Sequence, residues 1–169
     1  MKRLLLITVL IGAAYFVNAQ SYQTILDRDS SKMYVGLINE SLLKSDSAYN
    51  WFARAQNIYK PKAPVVKTFA ANKDSVSFMV IVGTWCEDSH YVIPRFFSIL
   101  DSAGFDSDKV TLVAVDRTKK DKNNLTNVLN VTNVPTIIVY KKGKELGRVV
   151  EYGKTGRFDE ELAALLTKS

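Results

Sequence analysis

The sequence of 169 residues contains a single cysteine, Cys86, and a single histidine, His90. One cysteine cannot form a disulfide within the chain, so disulfide-stabilised scaffolds are excluded and stability must come from the hydrophobic core. A structural zinc site would require a second cluster of cysteine and histidine residues, which the sequence does not have. We therefore expect no metal and no cofactor. An odd cysteine outside the cytoplasm indicates a reactive thiol or an intermolecular partner; a buried, inert cysteine is the alternative.

Long apolar runs are scarce, and the sequence has one at its start, over residues 4–17. This run follows the charged residues Lys2 and Arg3 and ends at a small-residue site that closes with Ala19, a pattern typical of a secretory signal peptide. We predict a signal peptide over residues 1–20, a periplasmic or otherwise exported protein, and no stable membrane anchor after cleavage. An uncleaved N-terminal anchor is the alternative.

A concentrated basic patch is also missing. The net charge of +6 falls to about +4 when Lys2 and Arg3 leave with the signal peptide. The sequence shows no arginine-rich helix and no basic run interleaved with aromatic residues, so we expect no nucleic-acid binding. The remaining residues suffice for one hydrophobic core, and one domain is predicted.

The most informative stretch of the sequence lies around the cysteine. Residues 78–82 form an unbroken apolar run, which is typical of a strand covered on both faces. Cys86 follows this strand, and Glu87 and Asp88 are typical of the first turn of a helix. A cysteine between a strand and a helix start lies near the positive end of the helix dipole, which favours the thiolate over the thiol, whereas the negative charges of Glu87 and Asp88 oppose ionisation.

Several motifs together resemble the thioredoxin superfamily. The sequence has a Trp85-Cys86 pair after a strand, Pro94 inside the following helix, and a later Val134-Pro135-Thr136 segment before another apolar strand. The resemblance covers residues 61–169, and within the superfamily the sequence is similar to secreted bacterial proteins with one cysteine. It departs from the usual pattern at Ser89, which replaces the second cysteine.

This resemblance implies an α/β, thioredoxin-like fold with a central mixed sheet flanked by helices. It also implies that the bond before Pro135 is cis, and that Val134 and Trp85 contact an extended substrate. A cis X-Pro bond has a modest cost, and an ordinary trans loop is the alternative.

Residues 21–60 precede the recognisable domain, and we predict an N-terminal helical extension there. Apolar residues between Met33 and Leu43 recur at the spacing of a helix, which predicts a first helix there. The apolar residues from Tyr49 to Tyr59 predict a second helix, which Pro61 ends. The aromatic residues of this second helix are expected to pack against the sheet or to form part of a partner-binding surface.

The rest of the chain reads as alternating strands and helices. Further strands are predicted over residues 109–115, 136–140 and 146–151, and helices over residues 65–72, 86–103, 125–129 and 158–166. Gly104 is expected to end the long helix that starts at the cysteine.

The chemistry that these residues favour is thiol–disulfide exchange by Cys86 alone. Ser89 cannot act as a second thiol, although its hydroxyl is placed to hydrogen-bond the sulfur, and Pro135 is expected to line the site. His90 is a candidate proton donor, with an exposed histidine of no catalytic role as the alternative. The expected partners are protein or peptide thiols and disulfides, with low-molecular-weight thiols as a further class. A redox-inactive binding module on the same scaffold is the alternative function.

Overall fold

The computed structural model describes residues 21–167, which form a six-stranded mixed sheet in the order β1-β2-β4-β3-β5-β6 with helices on both faces. The strands are β1 (Tyr22–Leu26), β2 (Lys32–Ile38), β3 (Val76–Val82), β4 (Val110–Ala114), β5 (Thr136–Lys141) and β6 (Lys144–Val150). The helices are α1 (Glu40–Ser45), α2 (Asn50–Ile58), α3 (Ala63–Asn72), α4 (Glu87–Ala103), α5 (Leu125–Val128) and α6 (Phe158–Leu166). The predicted signal peptide lies outside the described residues.

The apolar run before the cysteine forms β3, a strand in the interior of the sheet. It pairs in parallel with β4 and antiparallel with β5. Phe78, Val80 and Val82 face the larger hydrophobic core, which contains residues of α1, α2, α3, α4 and α6. Ile81 faces a smaller core beside α5. Both faces of β3 are therefore covered, as its continuous apolar sequence predicts.

The prediction of a helical extension is wrong for its first half. β1 and β2 form an antiparallel hairpin, and β2 continues the sheet by pairing antiparallel with β4. Met33, Tyr34 and Val35 are all buried, so both faces of β2 are covered and the strand shows no alternation of apolar and polar residues. The helical spacing seen in the sequence there is coincidental. Residues 40–58 are largely helical and contain α1 and α2.

The long helix α4 begins directly after Cys86 and ends where the sequence predicts. Gly104 adopts a left-handed conformation, with φ of 62°, and its N–H donates to the carbonyls of Asp101 and Leu100. Glycine adopts this conformation without the steric cost that a Cβ adds. Pro94 lies inside α4. Within residues 21–167, none of the helices is long and apolar enough to cross a membrane.

Candidate active site at Cys86

Cys86 lies at the junction between β3 and α4. Its N–H donates to the Gly83 carbonyl at 2.9 Å, which closes the turn after the strand. Its own carbonyl accepts from the His90 N–H at 3.0 Å, which begins the hydrogen bonding of the helix. Cys86 is thus the N-cap residue of α4, in an extended conformation, and its side chain is half-buried. The sulfur is therefore held at the helix start, on a residue that is only partly buried.

The loop before β5 contacts this sulfur. The Val134–Pro135 peptide bond is cis. The Cys86 thiol donates a hydrogen bond to the Val134 carbonyl at 3.4 Å, and the Pro135 carbonyl accepts from the Glu151 N–H at 2.7 Å. The loop is anchored further by the Thr136 hydroxyl, which donates to the Asn133 carbonyl at 2.7 Å. The structure thus brings together three residues that the sequence places in the site, Cys86, Val134 and Pro135.

Ser89 occupies the position of the missing second cysteine and has no exposed surface. Its hydroxyl accepts a hydrogen bond from the Gly83 N–H at 3.3 Å. Among the described residues, no hydrogen bond joins Ser89 to the Cys86 sulfur, in contrast to the sequence-based expectation. The serine therefore fastens α4 to the turn after β3.

Trp85 packs over the same turn. Its indole Nε1 donates to the Val115 carbonyl at 3.0 Å. A Cβ at Gly83 would lie 2.8 Å from the indole ring, so only glycine permits this close approach. The guanidinium carbon of Arg117 lies 4.9 Å from the centre of the indole, within the range of a cation–π interaction. Trp85 is consequently fixed next to the thiol, with a positive charge over its ring.

His90 is half-buried, which differs from the exposed alternative considered for it. Its ring stacks on Trp51 of α2, with ring centres 4.0 Å apart and planes inclined by 25°. Its Nε2 lies 2.8 Å from the Thr84 carbonyl, which requires the proton to be on that nitrogen. Burial lowers the pKa of His90, against smaller raising effects of the Thr84 hydrogen bond and the Glu87 charge. The ring is therefore neutral at neutral pH and its Nε2 proton is held by the backbone.

An ion pair that the sequence does not reveal borders the site. Arg117 binds the buried carboxylate of Asp27 through Nε, at 2.8 and 2.7 Å, and through Nη2 at 2.6 Å. The pKa of Asp27 is lowered, chiefly by these hydrogen bonds. The pKa of Arg117 is raised, chiefly by the same hydrogen bonds, with smaller contributions from the charges of Asp29 and Cys86. The hairpin turn thus holds a guanidinium over the indole of Trp85, the residue before the cysteine.

A tyrosine that sequence reasoning also missed joins α4 to the loop after β6. The Tyr152 hydroxyl donates to the Asp88 carboxylate at 2.8 Å, and this hydrogen bond is the main reason that the pKa of Tyr152 is raised to about 12. The tyrosine follows Glu151, whose N–H holds the Pro135 carbonyl. Among residues 21–167, no group of three or more histidine, cysteine, aspartate or glutamate side chains could hold a metal ion.

Several solved structures are similar to this chain. A solved protein of unknown function from Pseudomonas aeruginosa is similar with a TM-score of 0.52 and 14% identity, over 76% of this chain and 89% of that chain. Trxlp from Edwardsiella tarda gives a TM-score of 0.41 and 16% identity, over 64% of this chain and 97% of that chain. Thioredoxin from Fasciola hepatica gives a TM-score of 0.40 and 21% identity, over 60% of this chain and 86% of that chain. A search of curated proteins found no match.

A family model described as Thioredoxin matches residues 61–167, which is more than half of the chain. The match begins after the N-terminal hairpin and helices and includes both the cysteine turn and the loop of Pro135. The resemblance seen in the sequence is therefore confirmed at the level of the family, and this chain belongs to the thioredoxin family.

Proposed function

We propose that this protein performs thiol–disulfide exchange outside the cytoplasm through Cys86 alone. The observation that carries the proposal is the position of the sulfur, which belongs to a half-buried cysteine at the start of α4 and lies 3.4 Å from the Val134 carbonyl oxygen. Membership of the thioredoxin family favours protein thiols and disulfides as partners, and low-molecular-weight thiols are a further class. The closer likeness to secreted bacterial proteins with one cysteine stays a prediction from the sequence.

The exchange step needs only one thiol. The Cys86 thiolate attacks one sulfur of a partner disulfide, so one S–S bond forms and one breaks, and the other partner sulfur leaves as a thiolate. The total number of disulfides is unchanged. A second thiol, from the partner or from solution, must then attack the mixed disulfide to release Cys86. Ser89 cannot do so, because a hydroxyl does not displace a sulfur in this reaction and its oxygen is buried against Gly83.

We predict a stable covalent adduct on Cys86. Incubation of the purified protein with an uncharged peptide disulfide should add the mass of one peptide, and the adduct should persist until an external thiol is supplied. Cys86→Ser should form none. If the folded wild-type protein forms no adduct while the unfolded protein does, the thiol is inert and the protein is a binding module on a thioredoxin scaffold.

Export is a separate part of the proposal and has its own test. The charged start, the apolar run and the small-residue site at the beginning of the sequence support it. When the full chain is produced in a bacterium with a periplasm, the periplasmic protein should begin at Gln20 or Ser21 by intact mass. Full-length protein confined to the cytosol would contradict export and leave the exchange chemistry to be judged by the adduct.

A further inference from the structure

An open groove of about 570 Å³ lies beside the turn that contains Cys86 and is formed jointly by the N-terminal segment and the thioredoxin-family domain. We call it the hairpin groove. The β1–β2 turn and the segment before and within α2 supply one part of its lining, and the turn after β3 and the start of α4 supply the other. Its lining includes Asp29, Lys32, Trp51, Trp85, Glu87 and Arg117. Cys86 is not part of this lining, but Trp85 and Glu87, its two neighbours in the sequence, both are, so the groove borders the turn that holds the thiol.

The cations of the hairpin groove are already neutralised. Arg117 is bound by the Asp27 carboxylate at 2.6 Å. Lys32 forms an ion pair with Asp46, which also accepts a hydrogen bond from the Tyr34 hydroxyl. These charges therefore cancel locally and offer little attraction to an anion.

The remaining carboxylates of the groove are not neutralised. Asp29 is exposed and accepts a hydrogen bond from the Ser31 N–H at 2.9 Å. Within residues 21–167, neither Asp29 nor Glu87 forms an ion pair. Because His90 is neutral, the uncompensated charge of the groove is negative, although the chain as a whole has a net charge of +6.

Two tryptophan side chains also line the groove and give it an apolar part. Trp51 and Trp85 are both half-buried, so they offer the groove only the apolar parts of their rings that His90 and Arg117 do not cover. Trp51 is held in place by stacking on His90, and Trp85 by the hydrogen bond from its indole to the Val115 carbonyl. The aliphatic part of a lysine or arginine packs well on such surfaces while its charged end reaches a carboxylate. Apolar walls with unpaired negative charge therefore suit a cationic side chain on an extended polypeptide.

We propose that the hairpin groove binds the polypeptide segment that flanks the reacting cysteine of a substrate, and that it selects segments with lysine or arginine. This inference rests on the proposed function, because it concerns the partner that forms the mixed disulfide with Cys86. It favours cationic peptides over glutathione, whose carboxylates give it a net negative charge. The β1–β2 hairpin, which lies outside the family match, is then a specificity element.

The test compares peptide disulfides that differ only in the residues flanking the cysteine, which are lysine in one and glutamate in the other. The rate of adduct formation on Cys86 is measured by mass spectrometry at low ionic strength. Charge complementarity acts mainly on association, so wild-type protein should react about five-fold faster with the lysine peptide. Asp29→Asn should lower this ratio by about two-fold, since one exposed charge contributes modestly. Asparagine can still accept from the Ser31 N–H, so the turn is retained.

Asp108→Asn is the matched control, because it changes the net charge equally. Asp108 lies just before β4, at the end of the parallel pair β3–β4 opposite Cys86, and the control should keep the wild-type ratio. Equal rates for the two peptides in wild type would overturn the inference while leaving exchange by Cys86 intact. A ratio that Asp29→Asn leaves at the wild-type value would also overturn it, because the exposed carboxylate of the β1–β2 turn would then take no part in the selection. No adduct with either peptide would instead overturn the proposed function.

Discussion

Ser89→Cys should convert the single thiol into a redox-active pair and shorten the lifetime of the peptide adduct by about a hundred-fold or more, because an intramolecular thiol has a high effective concentration. Cys86 is the N-cap of α4 and residue 89 lies in the first turn, where an N-cap side chain can reach the third helical residue, so a disulfide between these positions needs only small adjustments. The buried hydroxyl of Ser89 lies against the Gly83 N–H at the same turn that holds Cys86, so a sulfur at this position would be close to the reacting one. The attack would release the peptide as a thiol and leave a disulfide between positions 86 and 89.

This outcome is measured as release of peptide from the purified adduct without added thiol, and as insulin reduction in the presence of dithiothreitol. Ser102→Cys is the control, since it adds a thiol to the same helix, about 24 Å along its axis from Cys86 at 1.5 Å per residue. The control should release peptide as slowly as wild type. Equal adduct lifetimes in the two variants would contradict the placement of residue 89 beside the thiol. Adding Cys86→Ser to Ser89→Cys should remove the insulin reduction.

Phe52→Ala should lower the free energy of unfolding by about 3–5 kcal/mol, the usual cost of removing a large buried aromatic side chain. Phe52 lies on α2, before the family match begins, yet it has no exposed surface. Its ring packs 5.8 Å from that of Phe97 on α4, the helix that begins at the cysteine. The N-terminal segment and the family domain thus share one core, and a cavity in one should destabilise both.

The measurement is urea unfolding, followed by far-ultraviolet circular dichroism and by tryptophan fluorescence. Both probes should report a single coincident transition at a lower urea concentration than in wild type. Ile58→Ala on the same helix is the control: its side chain is 77% exposed, and surface substitutions usually change stability by less than about 0.5 kcal/mol. A variant in which α2 unfolds separately while the rest keeps wild-type stability would contradict a shared core.

Local patterns in the sequence were sufficient to predict most of the strands and helices of the family domain. The continuous apolar run that forms β3 was recognisable because a strand covered on both faces needs no polar alternation. Gly104 predicted the end of α4 because a left-handed cap is a property of a few neighbouring residues. The span Phe158–Leu166 of α6 also agrees with the prediction, since the apolar face of this helix is regular.

The N-terminal hairpin shows where such patterns mislead. In β2, Met33, Tyr34 and Val35 are buried in succession because β1 and β4 flank the strand and side chains pack on both of its faces. Burial of this kind removes the period of two, and the remaining apolar spacing is equally compatible with a helix. Pairing with β4, a strand far along the chain, decided that this segment forms a strand and not a helix.

The sequence by itself determined that Cys86 stands alone at a strand-to-helix junction and that Ser89 offers no second thiol, because both follow from residue type and local spacing. Only the tertiary structure decided what surrounds that thiol. Asp27 and Arg117 are 90 residues apart in the chain, and they meet because β2 bridges the hairpin to β4. Hydrogen bonds and ion pairs between such distant residues depend on the pairing of strands and the packing of helices, which no local pattern encodes.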